Sequence, residues 1–160
     1  MVAAPSIGEI LDWLKAIEDP EIPVISIVDL GIVRDVKFDE SSGEAVITIT
    51  PTYSGCPAME AISAEILRSM RKHGIEKIRL ETRLSPPWTT DWMTEEAKQR
   101  LRSYGIAPPA SQLVTLDAPV TCPHCGSSRT QLVSRFGSTP CKALYKCLNC
   151  LEPFDVFKRH

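Results

Sequence analysis

Residues 45–57 read AVITITPTYSGCP and decide the fold of the first half of the chain. The β-branched run at the start of this stretch predicts a strand, and the apolar stripe that follows it predicts an amphipathic helix. Pro57 suits the first helical position, so Cys56 lies at or beside the N-cap, where free N–H groups and the helix dipole favour a thiolate. We therefore predict a thiol presented on a strand-to-helix turn. The alternative is a small buried cysteine that only packs.

The segments on either side of this stretch complete a small α+β domain. Residues 6–9 form the capping-box pattern SIGE, which predicts the start of a first helix. Alternating apolar and polar residues predict strands at 32–38 and 78–84. The polar turn at 39–43 joins the first of these strands to the run at 45–50 as a hairpin. The predicted fold is therefore a three-stranded sheet with packed helices.

Two tryptophans stand in a proline-containing loop, ahead of a short helix predicted over residues 95–103. Trp88 and Trp92 are costly to leave in water, so they either cover the sheet or dock a partner protein. The proline-rich stretch that follows the short helix predicts a linker. The predicted organisation is a first domain at 1–106, which includes the tryptophan loop, a linker at 107–115 and a second domain at 116–160.

The second domain is predicted to be an all-β zinc ribbon. Five of the six cysteines lie between 122 and 150, and four of them form two C-x-x-C pairs, Cys122 with Cys125 and Cys147 with Cys150. Two such turns facing each other across short strands place four thiolates around one tetrahedral metal ion, which suits structural Zn²⁺. Redox-active pairs are the alternative, and the ribbon spacing favours metal. The first residues show no signal-peptide pattern, so a reducing cytoplasm is the expected compartment.

Cys141 stands apart from these pairs, and three interpretations remain open for it. It is a plain buried cysteine, a substitute metal ligand, or a second functional thiol that lies near Cys56 in space. His124 lies inside a knuckle and is expected to be a spectator.

Charge and composition exclude several classes of function. The formal net charge of −2 argues against a protein that coats nucleic acid or an acidic membrane. No apolar run approaches the roughly 20 residues that a membrane span needs. Residues 116–160 carry a net charge of +3, which four thiolates around Zn²⁺ would lower by about 2. Nucleic-acid binding through the ribbon is therefore disfavoured. No motif of a hydrolase, nucleotide-binding enzyme or metalloprotease is present in the sequence, so we do not expect catalysis by this chain alone.

The first domain contains three motifs, at residues 19–23, 29–33 and 50–57. Together they resemble those of the SufT-like iron–sulfur assembly proteins, over roughly residues 6–84. Further motifs lie at residues 85–93, in the two knuckles, and at 137–143 and 152–154. With these the whole chain resembles the D-subunit family of the phenylacetyl-CoA epoxidase (ring 1,2-oxygenase) system of phenylacetate breakdown.

The resemblance implies an accessory role rather than a catalytic one. In that family the chemistry belongs to other subunits, a di-iron oxygenase and a reductase that carries flavin and a [2Fe–2S] cluster. The family to which the chain is similar is regarded as an accessory that installs or maintains metal. The functional cysteine of the family falls on Cys56 and its motif aspartate on Asp29, with Thr52 and Ser54 in the same loop as Cys56. The ribbon ligands fall on the four knuckle cysteines.

Two functions follow as hypotheses. The first is a maturation factor that acts through Cys56 and Asp29 on iron or an Fe–S cluster held transiently. One thiolate is too few to hold a cluster, so a carrier would need a homo-oligomer, ligands of the client protein, or Cys141. The second is a non-catalytic adaptor that docks the oxygenase or reductase through the ribbon and the two tryptophans, Trp88 and Trp92.

Overall fold

The structure, a computed structural model, describes residues 4–109 and 119–158. It divides into two compact units, Met1–Thr94 and Glu95–His160, which are described separately below. No helix in the described ranges is long and apolar enough to cross a membrane.

The first unit is a three-stranded sheet with two principal helices, as predicted. Strand β2 lies between β1, to which it is antiparallel, and β3, to which it is parallel. Helix α2 makes the crossover from β2 to β3, and a short 3-10 helix follows β3. In chain order the elements are α1 (Ile7–Lys15), β1 (Val33–Asp39), β2 (Glu44–Ile49), α2 (Ala58–Lys72), β3 (Lys77–Thr82) and the 3-10 helix Thr90–Trp92.

Helix α1 begins at the predicted capping box. The Ser6 hydroxyl accepts a hydrogen bond from the Glu9 N–H at 3.2 Å, and the Glu9 carboxylate accepts one from the Ser6 N–H at 2.8 Å. Helix α1 packs against α2 and β1, and α2 also packs against β3. Burying each large aliphatic side chain contributes roughly 1.5–3 kcal/mol. The fully buried members of this core include Ile10, Leu14, Ile47, Ile49, Ile62, Ile66 and Met70.

Three loops lie at one end of this sheet, which we call the loop end. Val33, the first residue of β1, pairs with Ile49, the last residue of β2, and Ile49 also pairs with Thr82, the last residue of β3. The Thr50 N–H donates to the Ile32 carbonyl at 2.9 Å, and the Arg83 N–H donates to the Ile49 carbonyl at 2.8 Å. The loop before β1, the loop after β2 and the segment after β3 therefore all meet the sheet at the loop end.

The second unit contains a helix and a four-stranded sheet. The strand order is β4-β7-β6-β5; β4 is parallel to β7, and β6 is antiparallel to β7 and to β5. Its core combines the side chains of Tyr145, Phe154 and Val156 with the sulfurs of the knuckles. The elements are α3 (Glu95–Tyr104), β4 (Ile106–Ala107), β5 (Thr130–Ser134), β6 (Lys142–Cys147) and β7 (Pro153–Phe157).

The division between the units differs from the predicted domain boundary. The sequence places helix α3 in the first domain and residue 107 in the linker, whereas both lie in the second compact unit of the structure. Ala107 is buried and pairs with Val156, because β4 fills the open edge of β7. Residues 110–115 of the predicted linker lie outside the described residues, so the linker itself stays a prediction.

The hairpin loop between β5 and β6 folds around the carboxylate of Asp155. The Ser138 hydroxyl donates to Asp155 Oδ2 at 2.7 Å, and the buried Lys142 Nζ lies 4.0 Å from the same oxygen. A Cβ added to Gly137 would overlap Asp155 Oδ1. The absence of a side chain at Gly137 therefore leaves the space that the Asp155 carboxylate occupies.

We expect Gly137→Ala to lower the free energy of unfolding of the second unit by about 2 kcal/mol, because the methyl group must displace the Asp155 carboxylate. Thermal unfolding of the full chain measures this. Gly8→Ala in helix α1 is the matched control, since its added Cβ meets only the Ser6 hydroxyl, at 3.8 Å. A Gly137→Ala variant as stable as the wild type would contradict the expectation.

Candidate functional site

The structure brings the four predicted metal ligands of the ribbon together. The sulfurs of Cys122, Cys125, Cys147 and Cys150 all lie within 4.8 Å of one another. The Cys122 and Cys150 sulfurs are 3.8 Å apart, and those of Cys125 and Cys147 are 3.6 Å apart. A tetrahedron with Zn–S bonds of about 2.3 Å has sulfur–sulfur separations of about 3.8 Å. The donor set therefore fits one tetrahedral thiolate-bound ion.

Local hydrogen bonds prepare one of these sulfurs for ionisation. The N–H groups of Cys150 and Asn149 point to Cys147 Sγ at 3.5 and 3.4 Å, and these bonds, that of Cys150 foremost, lower the pKa of Cys147 to about 6. The Glu152 N–H lowers the pKa of Cys150, but burial and the neighbouring sulfurs outweigh it and raise that pKa to about 12. Without a cation the four sulfurs do not all ionise, so the cluster is stable as four thiolates only around a metal ion.

Cys141 and His124 lie outside the sulfur cluster. Cys141 is 4% exposed, and its sulfur lies 2.9 Å from the Thr139 hydroxyl. This environment favours a plain buried cysteine, and a functional role of Cys141 together with Cys56 stays a prediction. The His124 ring packs 3.2 Å from the position of a Cβ on Gly105 and edge-on to Phe154 at 6.4 Å. Its predicted spectator role agrees with this packing.

Cys56 lies on a turn that leads directly into α2. Its N–H donates to the Tyr53 carbonyl at 3.2 Å, and its carbonyl accepts from the Met59 N–H at 3.2 Å. Gly55 adopts a φ of 79°, which L side chains rarely adopt, and this conformation closes the turn. The Cys56 side chain is half-buried at the N-terminal end of a 15-residue helix. The predicted strand-to-helix turn is therefore present.

Three side chains of this loop are available to a ligand. Within the described residues, Thr52, Ser54 and Cys56 make no side-chain hydrogen bond. Thr50, where the loop leaves β2, has a hydroxyl that is buried and lacks a hydrogen-bond partner in the same residues. An unsatisfied buried hydroxyl costs about 1–3 kcal/mol, so natural proteins keep few of them. These features set the loop apart from an ordinary packed turn.

The two aspartates of the first-domain motifs have different environments. Asp19 is 5% exposed, and its carboxylate accepts hydrogen bonds from the N–H groups of Glu21 and Ile22, both at 2.9 Å. It is a structural cap of the proline-containing turn. Asp29 is half-buried, and its carboxylate makes no hydrogen bond or ion pair with other residues of the described ranges. Asp29 is therefore the aspartate available to a ligand at the loop end.

Residues 83–94, which we call the aromatic strap, pack against the loop that carries Asp29. Trp88 is 3% exposed, and its indole N–H donates to the Leu30 carbonyl at 3.0 Å. Trp92 is half-buried, and the Arg34 guanidinium lies 3.6 Å from its ring centroid. The prediction that Trp88 docks a partner is wrong, because its ring is in the core and its one donor is already engaged. Trp88 instead covers the loop end of the first unit. The docking role of Trp92 stays a prediction.

Sequence reasoning missed the residues that hold the Asp29 loop. The Ser26 hydroxyl accepts from the Asp29 N–H at 3.0 Å, and nothing in the local sequence marks that serine. Gly31 lies against Trp92, and its place in the Asp-Leu-Gly motif was the signal that could have predicted a close contact. Arg34 shares the mostly apolar face of the predicted strand with Ile32 and Val36, and this pattern does not predict its contact with Trp92.

Comparison with known proteins identifies the family. The chain is 51% identical to the D subunit of the "Putative 1,2-phenylacetyl-CoA epoxidase" of Escherichia coli, over 98% of this chain and 95% of that protein. The chain belongs to the PaaD family, the D subunits of phenylacetyl-CoA epoxidases. The family profile of the PaaD zinc beta ribbon domain matches residues 107–158, and that of the iron–sulfur cluster assembly proteins matches residues 8–77. The aromatic strap lies between the two matched segments.

The first domain of this PaaD family member has further relatives. It is 35% identical to the Fe-S protein maturation auxiliary factor SufT of Staphylococcus aureus, over 50% of this chain and 90% of SufT. A solved structure of a domain of unknown function, DUF59, from Bacillus anthracis aligns with a TM-score of 0.54 and 34% identity. That alignment covers 59% of this chain and 89% of the Bacillus protein. The first unit of the PaaD chain thus has the fold of this assembly domain.

Proposed function

We propose that this chain is an accessory subunit of a phenylacetyl-CoA epoxidase that helps to install or maintain iron or an iron–sulfur cluster in the oxygenase or reductase subunits. The observation that carries the proposal is the half-buried Cys56 thiol just before α2, on a loop that meets the sheet at the same end as the loop of Asp29. Neither the thiol nor the Asp29 carboxylate has a hydrogen-bond partner among the described residues. The resemblance of the first unit to SufT supports iron as the cargo.

The proposed chemistry is ligand exchange on a cargo metal. Cys56 loses its proton to solvent as its sulfur binds the metal, and the Asp29 carboxylate supplies an oxygen ligand. Two protein ligands leave the remaining positions of the metal open to ligands of the client protein. When a client ligand replaces the Cys56 sulfur, the thiolate takes a proton back and no oxidation state changes. A site that supplies only two protein ligands is suited to transferring a metal ion to a client protein rather than to storing it.

The ribbon is proposed to hold Zn²⁺ as a structural ion. Bound zinc supplies folding free energy and fixes the two knuckles against each other. Cys122, Cys125, Cys147 and Cys150 would be its ligands. The N–H groups of Asn149 and Cys150 orient the Cys147 sulfur.

We expect Cys56→Ser to lower epoxidase activity at least about tenfold in cells that lack the wild-type chain, because a serine hydroxyl is a far poorer iron ligand at neutral pH. The iron content of the purified oxygenase and reductase should fall in parallel. Cys141→Ala is the matched control, since it removes a thiol that is buried in the second unit.

Full epoxidase activity with Cys56→Ser would contradict the proposed role of the thiol and would favour the adaptor function. One observation favours that second function: the ribbon exposes large apolar side chains, with Phe136 68% and Val133 58% exposed. Under the adaptor function these side chains, rather than Cys56, would be needed for binding to the other subunits.

A further inference from the structure

The aromatic strap contacts the backbone of the Asp29 loop at successive residues. The Thr94 N–H donates to the Asp29 carbonyl at 3.1 Å, and the Trp88 indole donates to the Leu30 carbonyl at 3.0 Å. Gly31 then lies against the main chain of Trp92, with the position of its missing Cβ 2.9 Å from the Trp92 carbonyl oxygen. The strap therefore fixes the loop through main-chain groups.

These contacts leave the Asp29 side chain untouched. The Asp29 N–H is bound by the Ser26 hydroxyl and its carbonyl by the Thr94 N–H. Its carboxylate has no partner among the described residues. Because hydrogen bonds hold the Asp29 backbone at both its N–H and its carbonyl, the residue is ordered before a metal ion binds. Such an arrangement preorganises the carboxylate as a metal ligand.

We propose that Trp88 is a positioning residue that, with Thr94 and Trp92, holds Asp29 at the loop end in the orientation that receives the cargo metal. The inference rests on the proposed function and extends it to a segment outside residues 8–77, the part that matches the iron–sulfur assembly profile. Trp88 acts through the Leu30 carbonyl and does not touch the metal.

A double-mutant cycle tests whether Trp88 acts through Asp29. Co²⁺ is titrated onto the full chain with zinc already in the ribbon, and the thiolate-to-cobalt absorption band reports binding at Cys56. Trp88→Phe keeps a ring in the core and removes the donor to Leu30. We expect Trp88→Phe and Asp29→Asn each to weaken Co²⁺ binding about tenfold, the low end for groups that orient a metal ligand. The double variant should bind no more weakly than Asp29→Asn alone.

The control is Trp13→Phe, the same substitution on α1. Trp13 stacks on His73 with 4.1 Å between ring centroids, at the opposite end of α2 from Cys56. Its Co²⁺ affinity should equal that of the wild type. If Trp88→Phe fails to fold, Arg34→Met replaces it, because Arg34 is exposed and only covers the Trp92 ring. Arg34→Met should weaken Co²⁺ binding about threefold, and this effect should disappear when Asp29→Asn is also present.

The outcomes separate the inference from the proposed function. If Trp88→Phe weakens binding equally with and without Asp29→Asn, the strap supports the fold in general, and the positioning role is overturned while the transfer site stands. If neither Cys56→Ser nor Asp29→Asn changes Co²⁺ binding, the proposed function and the inference both fail. A Trp88→Phe protein with wild-type affinity and stability overturns the inference alone.

Discussion

Cys147→Ser is expected to unfold the second unit and to leave the first unit folded. Cys147 is 0% exposed and lies in both the apolar core and the sulfur cluster. A serine removes one of four thiolates and leaves the remaining sulfurs without a closed site. Metal binding contributes on the order of 10 kcal/mol or more to such modules. The small ribbon core cannot compensate for that loss.

Amide spectra of the full chain measure this expectation directly. In Cys147→Ser, residues 119–158 should lose their dispersed signals and zinc should fall from one ion per chain to none, while residues 4–94 keep native positions. Cys141→Ser is the control, because Cys141 is also buried in this unit but lies outside the cluster. Native dispersion throughout the ribbon of Cys147→Ser would show that the metal is not the main source of its stability.

Gly31→Ala is expected to cost the first unit about 3 kcal/mol. Gly31 has a φ of 82°, and an L residue pays about 1–2 kcal/mol to adopt this conformation. Its Cβ would also lie 2.8 Å from Trp92 Cβ and 2.9 Å from the Trp92 carbonyl oxygen. Relieving that overlap moves the strap backbone, which costs about 1–3 kcal/mol more. Urea unfolding followed by tryptophan fluorescence measures the loss.

Gly43→Ala isolates the contribution of the strap. Gly43 has a φ of 68°, but a Cβ placed on it meets no atom within 4 Å. It should therefore show only the conformational cost of about 1–2 kcal/mol. Equal losses of unfolding free energy in Gly31→Ala and Gly43→Ala would mean that the strap backbone moves away from a Cβ at position 31 without cost. The close packing of Trp92 against Gly31 would then not contribute to stability.

The sequence by itself determined the features that depend on neighbouring residues. The capping box of Ser6 and Glu9, the strand-to-helix turn at Cys56 and the two cysteine knuckles are each set within a few residues of chain. Backbone propensity, capping and the geometry of a C-x-x-C turn act at this range. These predictions therefore held without knowledge of the tertiary structure.

The tertiary structure alone decided the features that join distant residues. Trp88 donates to the Leu30 carbonyl across 58 positions, and Ala107 pairs with Val156. Among the described residues, the carboxylate of Asp19 is hydrogen-bonded while that of Asp29 has no partner. A tryptophan carries the same ring and donor whether it docks a partner or fills a core, so its sequence position cannot distinguish the two. The role of Trp88 depends on which backbone carbonyl the fold brings within reach of its indole N–H. That carbonyl is determined only by the tertiary structure.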